Sequence, residues 1–249
     1  MNNAIAQRIH VGTSGWSYAH WRGPFYPSDL PQGGWLAYYA ERLATVEINN
    51  TFYQLPTQAT LSGWREVVAE DFVFSVKASR FITHMKKLRE PEATTAQFFE
   101  RIGALAPRLG PILFQLPPRW RLDLERLRHF LAALPADYRY AIELRDRSWW
   151  NPAVYDLLAE RGIAFCIHDL GGVLSPREVT SDIVYVRLHG PDGPYRGCYD
   201  NPTLAAWLEA FSDWAAQGRV VYCYFDNDQG GYAALNALQM QEMIRAALL

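Results

Sequence analysis

Charged and polar residues recur at the ends of short apolar runs in this sequence, and their types are those that transfer protons and bind anions. Carboxylates and imidazoles accept or donate protons, whereas lysine and arginine neutralise negative charge on a ligand. The candidates for acid–base chemistry are Glu47, Lys77, Glu143 and His189. Those expected to bind or enclose a ligand are Trp16, Asn49, Tyr53, Arg145, Arg187 and Asp226. These residues predict acid–base chemistry on a small polar or anionic ligand, of the sugar-phosphate or nucleotide type.

The positions of these residues within their runs are the reason for singling them out. Alternate residues of a strand point to opposite faces, so each run divides into two sets. In one run Val46 and Ile48 form the apolar set, whereas Glu47 and Asn49 form the polar set. The same division recurs in the other runs, and the apolar sets suit packing against helices. The polar sets are therefore expected to face the interior of a barrel and its mouth at the C-terminal strand ends.

Eight β-rich runs lie along the whole chain, most of them followed by a segment with helical periodicity. The runs are Arg8–Gly12, Ala44–Asn49, Phe72–Lys77, Ile112–Gln115, Tyr140–Arg145, Ala164–Asp169, Ile183–His189 and Val220–Asp226. Helical spacing of apolar residues is clear in Gly33–Leu43 and Leu124–Leu134. Strands that alternate with helices indicate a parallel sheet, and eight such units in 249 residues predict a single-domain (β/α)₈ TIM-type barrel over residues 1–249.

Helix boundaries are marked by proline and glycine. Asn151-Pro152 and Asn201-Pro202 are each expected to begin a helix, with the asparagine as cap and the proline in the first turn. Gly162 and Gly218 suit the left-handed position after a helix. The segment Leu170–Asp182 contains two glycines and a proline instead of helical periodicity, so the helix after the sixth strand is expected to be missing or degraded.

Composition and charge narrow the class of protein. The net charge of −2 and the absence of a basic run argue against a strongly electrostatic nucleic-acid surface. Three cysteines without CxxC spacing are typical of free thiols in a reducing compartment. No apolar run approaches the roughly 20 residues needed to span a bilayer, and the first residues lack a signal-peptide pattern. We expect a cytoplasmic protein without membrane contact; the sequence leaves its oligomeric state open.

Several strings in the sequence are similar to those of the YecE-like family, domain of unknown function 72 (DUF72). They include the segments 11–18, 21–27, 46–56, 74–78, 82–84, 115–118, 143–149, 186–190 and 224–228, which follow one another in the family's order. The resemblance covers about residues 9 to 240 and implies a (β/α)₈-like barrel. It implies no reaction, because the family is named for having none assigned. Its motif residues coincide with the inward-facing polar set.

Other chemistries fit parts of the same residue set. Glu47 and Glu143 could serve a glycosidase, with Trp16, Tyr53 and Trp149 stacking on sugars. Lys77 could form a Schiff base with a carbonyl substrate. Alternatively, these charges have a purely structural role, in which Glu47 pairs with Lys77 and Glu143 pairs with Arg145 or Arg187. His84 follows the third strand and is expected to be a surface loop residue.

The same residues also allow three other functions: metal binding, nucleic-acid binding and non-catalytic ligand binding. His168, Asp169, His189, Asp226, Asp228 and Glu143 could hold a divalent metal, although no compact ligand motif supports one and no cofactor is evident. A nucleic-acid-binding or repair-type protein resembling endonuclease IV would use the same mouth but is not favoured. A non-catalytic binding protein would instead show complete charge pairing.

Overall fold

A computed structural model describes residues 2–248 of the chain and divides them into two compact units. The first unit consists of residues 2–47, 167–177 and 182–248, and the second unit consists of residues 48–166 and 178–181. The two ends of the predicted domain, residues 1 and 249, lie outside the described residues. Each unit is a mostly parallel α/β assembly with its own strands and helices.

Strands and helices alternate along the chain as the sequence predicts. The strands are β1 (Ile9–Ser14), β2 (Thr45–Ile48), β3 (Val73–Lys77), β4 (Leu109–Gln115), β5 (Tyr140–Glu143), β6 (Ala164–Leu170), β7 (Val173–Leu174), β8 (Ile183–Leu188) and β9 (Val220–Phe225). The helices are α1 (Asn2–Ala6), α2 (Trp35–Ala40), α3 (Gln58–Val67), α4 (Pro91–Ile102), α5 (Leu124–Ala132), α6 (Pro152–Glu160), α7 (Asn201–Ala216) and α8 (Tyr232–Leu248). The eight predicted runs correspond to β1–β6, β8 and β9, while β7 was not predicted.

In the first unit β1 is paired in parallel with β2 on one side and β9 on the other, and β9 is paired in parallel with β8. The register places Ser14 beside Glu47 and Arg187 beside Tyr224. Because the strands are parallel, their carboxyl ends lie together. The polar residues that end these strands are thereby brought within contact distance.

In the second unit β4 is paired in parallel with β3 and β5, and β5 is paired in parallel with the first half of β6. Gln115 lies beside Glu143 in this register. Val76, Ile112, Phe114 and Ile142 are fully buried, as expected for strands covered by helices. The apolar residues at alternate positions of each strand therefore form the core. The polar residues at the intervening positions are buried beside it.

The helix boundaries follow the predicted signals with one correction. Asn151 Oδ1 accepts the Ala153 N–H at 3.0 Å, so this asparagine caps α6 as predicted. The prediction for Asn201 is wrong, because Asp200 caps α7 by accepting the Thr203 N–H at 3.0 Å. An aspartate carboxylate caps a helix as well as an asparagine amide does, so the N-cap of α7 lies one residue earlier than predicted.

The segment between β6 and β8 lacks a helix throughout the described residues 171–182. Its first residues turn through Gly171 and Gly172, both with positive φ, so that β7 pairs antiparallel with the end of β6. The missing sixth helix was predicted from this segment. Within residues 2–248 we find no helix that is both long and apolar enough to cross a membrane.

Candidate functional site

The first unit holds a buried polar cluster, here called the Arg187 network, at the carboxyl ends of its strands. Its members are Ser14 on β1, Glu47 on β2, Tyr185 and Arg187 on β8, His189 just after β8 and Asp226 just after β9. All six are buried, and Glu47, Tyr185, Arg187 and His189 are fully buried. Four predicted site residues, Glu47, Arg187, His189 and Asp226, are thus brought together.

Arg187 lies between two carboxylates. Its Nε donates to Glu47 Oε2 at 3.0 Å, and its Nη2 donates to Glu47 Oε1 at 2.7 Å. The same Nη2 also donates to Asp226 Oδ2 at 2.9 Å. The fixed fork of the guanidinium matches the two oxygens of a carboxylate, which orients Glu47 strongly. Removing a charge from water is costly, and these contacts offset that cost for Arg187.

Two hydroxyl groups complete the surroundings of Glu47. Ser14 Oγ donates to Glu47 Oε1 at 2.5 Å and accepts from Arg187 Nη2 at 3.0 Å. Tyr185 Oη donates to Glu47 Oε2 at 2.7 Å. Burial and the neighbouring Glu47 charge raise the pKa of Tyr185 well above its ordinary value. The tyrosine therefore stays protonated and serves as a hydrogen-bond donor to this carboxylate.

His189 contacts both Asp226 and Arg187. Its Nδ1 lies 2.9 Å from Asp226 Oδ2, and its Nε2 lies 3.3 Å from Arg187 Nη1. A guanidinium can only donate, so Nε2 is the acceptor and the proton of a neutral His189 lies on Nδ1. With His189 neutral, the two carboxylates and one guanidinium of the Arg187 network carry a net charge of −1.

A second histidine and aspartate lie beside this network in the first unit. His20 Nε2 lies 2.9 Å from the backbone oxygen of Asp228 and 3.2 Å from its Oδ1. Trp21 Nε1 donates to the same Oδ1 at 2.6 Å. Burial is the largest cause that raises the pKa of Asp228 from its ordinary value, and the charge of Asp226 adds to it. His20 is half-exposed, in contrast to the buried His189.

The second unit holds its own charged cluster at the ends of β3 and β5. Arg145 Nε donates to Glu143 Oε1, so the predicted ion pair of these two residues is present. Glu143 ends β5 and is fully buried, while Arg145 lies two residues beyond it. Lys77 ends β3, is 6% exposed, and has its Nζ 4.3 Å from the centroid of the Phe52 ring. An ammonium over an aromatic face is stabilised by the ring quadrupole.

The pKa of His84 is affected by the positive charges of this second cluster. It lies in a π-helical turn, Phe81–Met85, with its Nδ1 2.9 Å from Thr83 Oγ1 and its ring edge-on to Phe52. The pKa of His84 is lowered to about 4, chiefly by burial and also by the positive charges of Lys77, Arg80 and Arg145. The expectation of a surface loop residue is wrong, because His84 is half-buried among cationic side chains.

The remaining predicted residues lie at the margins of these clusters or in the core. Trp16 is buried, and its backbone oxygen accepts a hydrogen bond from Tyr26 Oη at 2.6 Å. Asn49 is half-buried, and its Oδ1 has no hydrogen-bond partner among the described residues. Tyr53 is 71% exposed beside a 420 Å³ groove lined also by Asn50, Gln54 and Trp64. Trp149 is fully buried with its indole N–H on the Trp120 oxygen, so it is a core residue rather than a sugar-stacking one.

Ser14 and His20 were missed from the sequence. The signal for Ser14 was its position at the end of β1, where a parallel neighbour places it beside Glu47. His20 gave no periodic signal because it lies in a short 3₁₀ turn, Ala19–Trp21. Within residues 2–248 no group of three or more His, Cys, Asp or Glu side chains is placed to hold a metal.

The fold and the two charged clusters define the class of protein. It is an α/β barrel protein with buried charged residues at the carboxyl ends of its strands. The chain belongs to the family described as protein of unknown function DUF72, whose model matches residues 10–248. A crystal structure of a DUF72 family protein from Thermotoga maritima MSB8 has a TM-score of 0.86 and 29% identity, with 95% of this chain and 99% of that chain covered. The fold class and the family resemblance are confirmed.

Two bacterial relatives share the designation UPF0759. UPF0759 protein YecE of Escherichia coli K12 is 32% identical over 159 residues, which are 62% of this chain and 55% of YecE. UPF0759 protein YunF of Bacillus subtilis strain 168 is 25% identical over 273 residues, with 95% of this chain and 94% of YunF covered. The chain therefore spans about half the length of YecE and nearly all of YunF.

Proposed function

We propose that this protein is an enzyme that performs general acid–base chemistry on a small anionic ligand. The observation that carries the proposal is the burial of two cations at the strand ends of the second unit, where Lys77 is 6% exposed and the Arg145 side chain is 8% exposed. Cations gathered at carboxyl strand ends attract an anion, and enzymes of this fold class keep their catalytic groups at these ends. A phosphate or carboxylate group is the natural complement of an arginine beside a lysine.

The residues of the second unit take the following roles. Lys77 and Arg145 neutralise the ligand's charge, and Glu143 accepts or returns a proton beside them. The contact between Arg145 and Glu143 fixes the carboxylate, so ligand charge and proton acceptor are held in one geometry. Asn49 orients the ligand through the amide oxygen that lacks a partner in the described part of the chain. Tyr53 encloses it.

The first unit, taken by itself, has its own proton-transfer groups in the Arg187 network. Glu47 and Asp226 are carboxylates of different surroundings: Glu47 accepts two hydroxyl hydrogen bonds and Asp226 contacts His189. Different surroundings allow two carboxylates to act separately as acid and base. In this proposal Arg187 stabilises their charges, and its contact with Nε2 selects the tautomer of His189.

Anion binding is tested by ligand-induced stabilisation. Titration with inorganic phosphate should raise the free energy of unfolding of the wild type by about 2.7 kcal/mol at 100 times Kd. Lys77→Met and Arg145→Gln should lose this response. Lys86→Met is the matched control, because Lys86 forms an exposed ion pair with Glu90 and should respond as the wild type does. An equal response from Lys77→Met and Lys86→Met would contradict the proposed anion site.

Catalysis is tested by turnover. A panel of phosphate monoesters and sugar phosphates should contain at least one compound that the wild type converts. Glu143→Gln should then lower kcat about 100-fold or more, which is the usual contribution of a positioned acid or base. Binding of the panel without turnover by the wild type would reject catalysis.

A non-catalytic binding protein is the second candidate. The specific observation in its favour is the dense pairing of the Arg187 network, in which one guanidinium contacts two carboxylates and a serine hydroxyl. Complete charge pairing is what a structural network would show. Phosphate-dependent stabilisation without turnover of any panel compound would support this candidate over the enzyme.

A further inference from the structure

The Arg187 network has acid–base groups that are closed off from solvent. Glu47 and His189 are fully buried, and Asp226 is 5% exposed. A proton taken up by such groups has to be exchanged with a ligand or with water during each turnover. A partly exposed titratable group next to the network provides a route for proton exchange with water. His20, whose side chain is 48% exposed, meets this requirement in the first unit.

The tautomer of His20 follows from its contacts. Its Nε2 lies within hydrogen-bond distance of two acceptors, the backbone oxygen of Asp228 at 2.9 Å and Asp228 Oδ1 at 3.2 Å. A nitrogen that contacts two acceptors carries the proton. In neutral His20 the lone pair is consequently on Nδ1. The imidazole thus has one nitrogen bound to Asp228 and the other able to accept a proton.

Asp228 is held firmly enough to orient the imidazole. Trp21 Nε1 donates to Asp228 Oδ1 at 2.6 Å, and Trp21 is fully buried. His20 and Trp21 belong to the same 3₁₀ turn, Ala19–Trp21, so both ends of the His20–Asp228 contact are fixed by one local structure. Asp228 follows Asp226 by two residues and lies close enough for the charge of Asp226 to raise its pKa, so the pair is adjacent to the Arg187 network.

We propose that His20 is the general base of the first unit, with Nδ1 as the accepting atom and Asp228 as its positioning residue. This inference rests on the proposed function. In the step, a ligand O–H bond breaks, its electron pair remains on the ligand oxygen, and the proton forms a bond to Nδ1. The imidazolium later returns the proton to the product or to water. Asp228 provides negative charge beside the transient cation.

The tautomer is tested without any activity. Nitrogen-15 NMR of the full chain at pH 8 should show His20 with Nε2 protonated and Nδ1 unprotonated, the signals being assigned by their loss in His20→Gln. Asp228→Ala should convert His20 to a mixture of tautomers. The opposite tautomer in the wild type would overturn the inference whatever the reaction is.

The catalytic role is tested with the compound that the wild type converts. His20→Ala should lower kcat about 100-fold with KM changed less than threefold, and added imidazole should restore part of the rate because the site is half-exposed. His129→Ala, which removes an exposed histidine on α5, should have wild-type activity. Full activity of His20→Ala in an active enzyme would overturn this inference alone. An inactive wild type would overturn the proposed function and this inference together.

Discussion

Arg187 and Glu47 form a fully buried ion pair between residues 140 positions apart in the sequence, with Nη2 of the arginine 2.7 Å from Oε1 of the glutamate. Each side chain has a relative exposure of 0%. Glu47 lies on β2 and Arg187 on β8, and β1 and β9 lie between these strands in the order of pairing. The pair therefore depends on the tertiary structure of the first unit and is a sensitive measure of it.

Arg187→Met should destabilise the protein strongly. The substitution leaves Glu47 and Asp226 buried without their cationic partner, and breaking a buried pair in this way typically costs about 3–5 kcal/mol. The free energy of unfolding from urea titration measures the effect. Lys86→Met, which breaks the exposed pair with Glu90, should cost no more than about 1 kcal/mol. Equal losses for the two variants would contradict the importance assigned to the buried pair.

Ser14→Ala should destabilise the same network to a smaller extent. It removes the hydroxyl that donates to Glu47 and accepts from Arg187, and an unsatisfied buried group costs about 1–3 kcal/mol. Ser17→Ala is the control, since the Ser17 hydroxyl accepts only an exposed hydrogen bond from Gln32 among those described. The control should change the free energy of unfolding by less than about 0.5 kcal/mol. Comparable losses would show that the Ser14 contacts contribute little.

The lowered pKa of His84 predicts a loss of stability in acid. Its ordinary value is 6.5 and its value in the folded protein is about 4, so the unfolded chain binds more protons between these pH values. Stability attributable to His84 should fall as the pH decreases from about 6.5 to 4. His84→Asn should reduce this dependence, measured as the difference in unfolding midpoint between pH 7 and pH 4.5. Burial also lowers the pKa of His10, so part of the dependence should remain. An unchanged dependence would contradict the assignment.

Gly190 should tolerate no side chain. Its φ is +114°, and a Cβ placed there would be 2.1 Å from the backbone oxygen of Arg196. Gly190→Ala should therefore cost about 1–3 kcal/mol and displace the turn that carries Tyr195, whose ring packs edge-on against His189. Gly33→Ala is the matched control, because nothing lies within 4 Å of its added Cβ. Thermal unfolding of both variants measures the contrast, and similar midpoints would contradict it.

Much of the fold was predictable because local rules act on neighbouring residues. Alternating apolar residues identified the eight long strands, and the Asn151-Pro152 pair identified the beginning of α6. The glycines and the proline of residues 170–182 correctly predicted that no helix follows β6 in this segment. The error at Asn201 arose because Asp200, one residue earlier, also has a capping side chain, and the geometry of the turn selects between them.

The sequence by itself determined which residues are polar at the strand ends, because side-chain alternation is a property of each strand alone. Only the tertiary structure decided which charges meet. Strand register places Glu47 beside Ser14, and the pairing of β1, β9 and β8 brings Arg187 to the same carboxylate. His20 gave no signal in the sequence, and His84 was expected only as a surface loop residue, since their neighbours Asp228 and Lys77 lie on chain segments that meet them only on folding. Ion pairs depend on distances of a few ångströms, which local patterns do not specify.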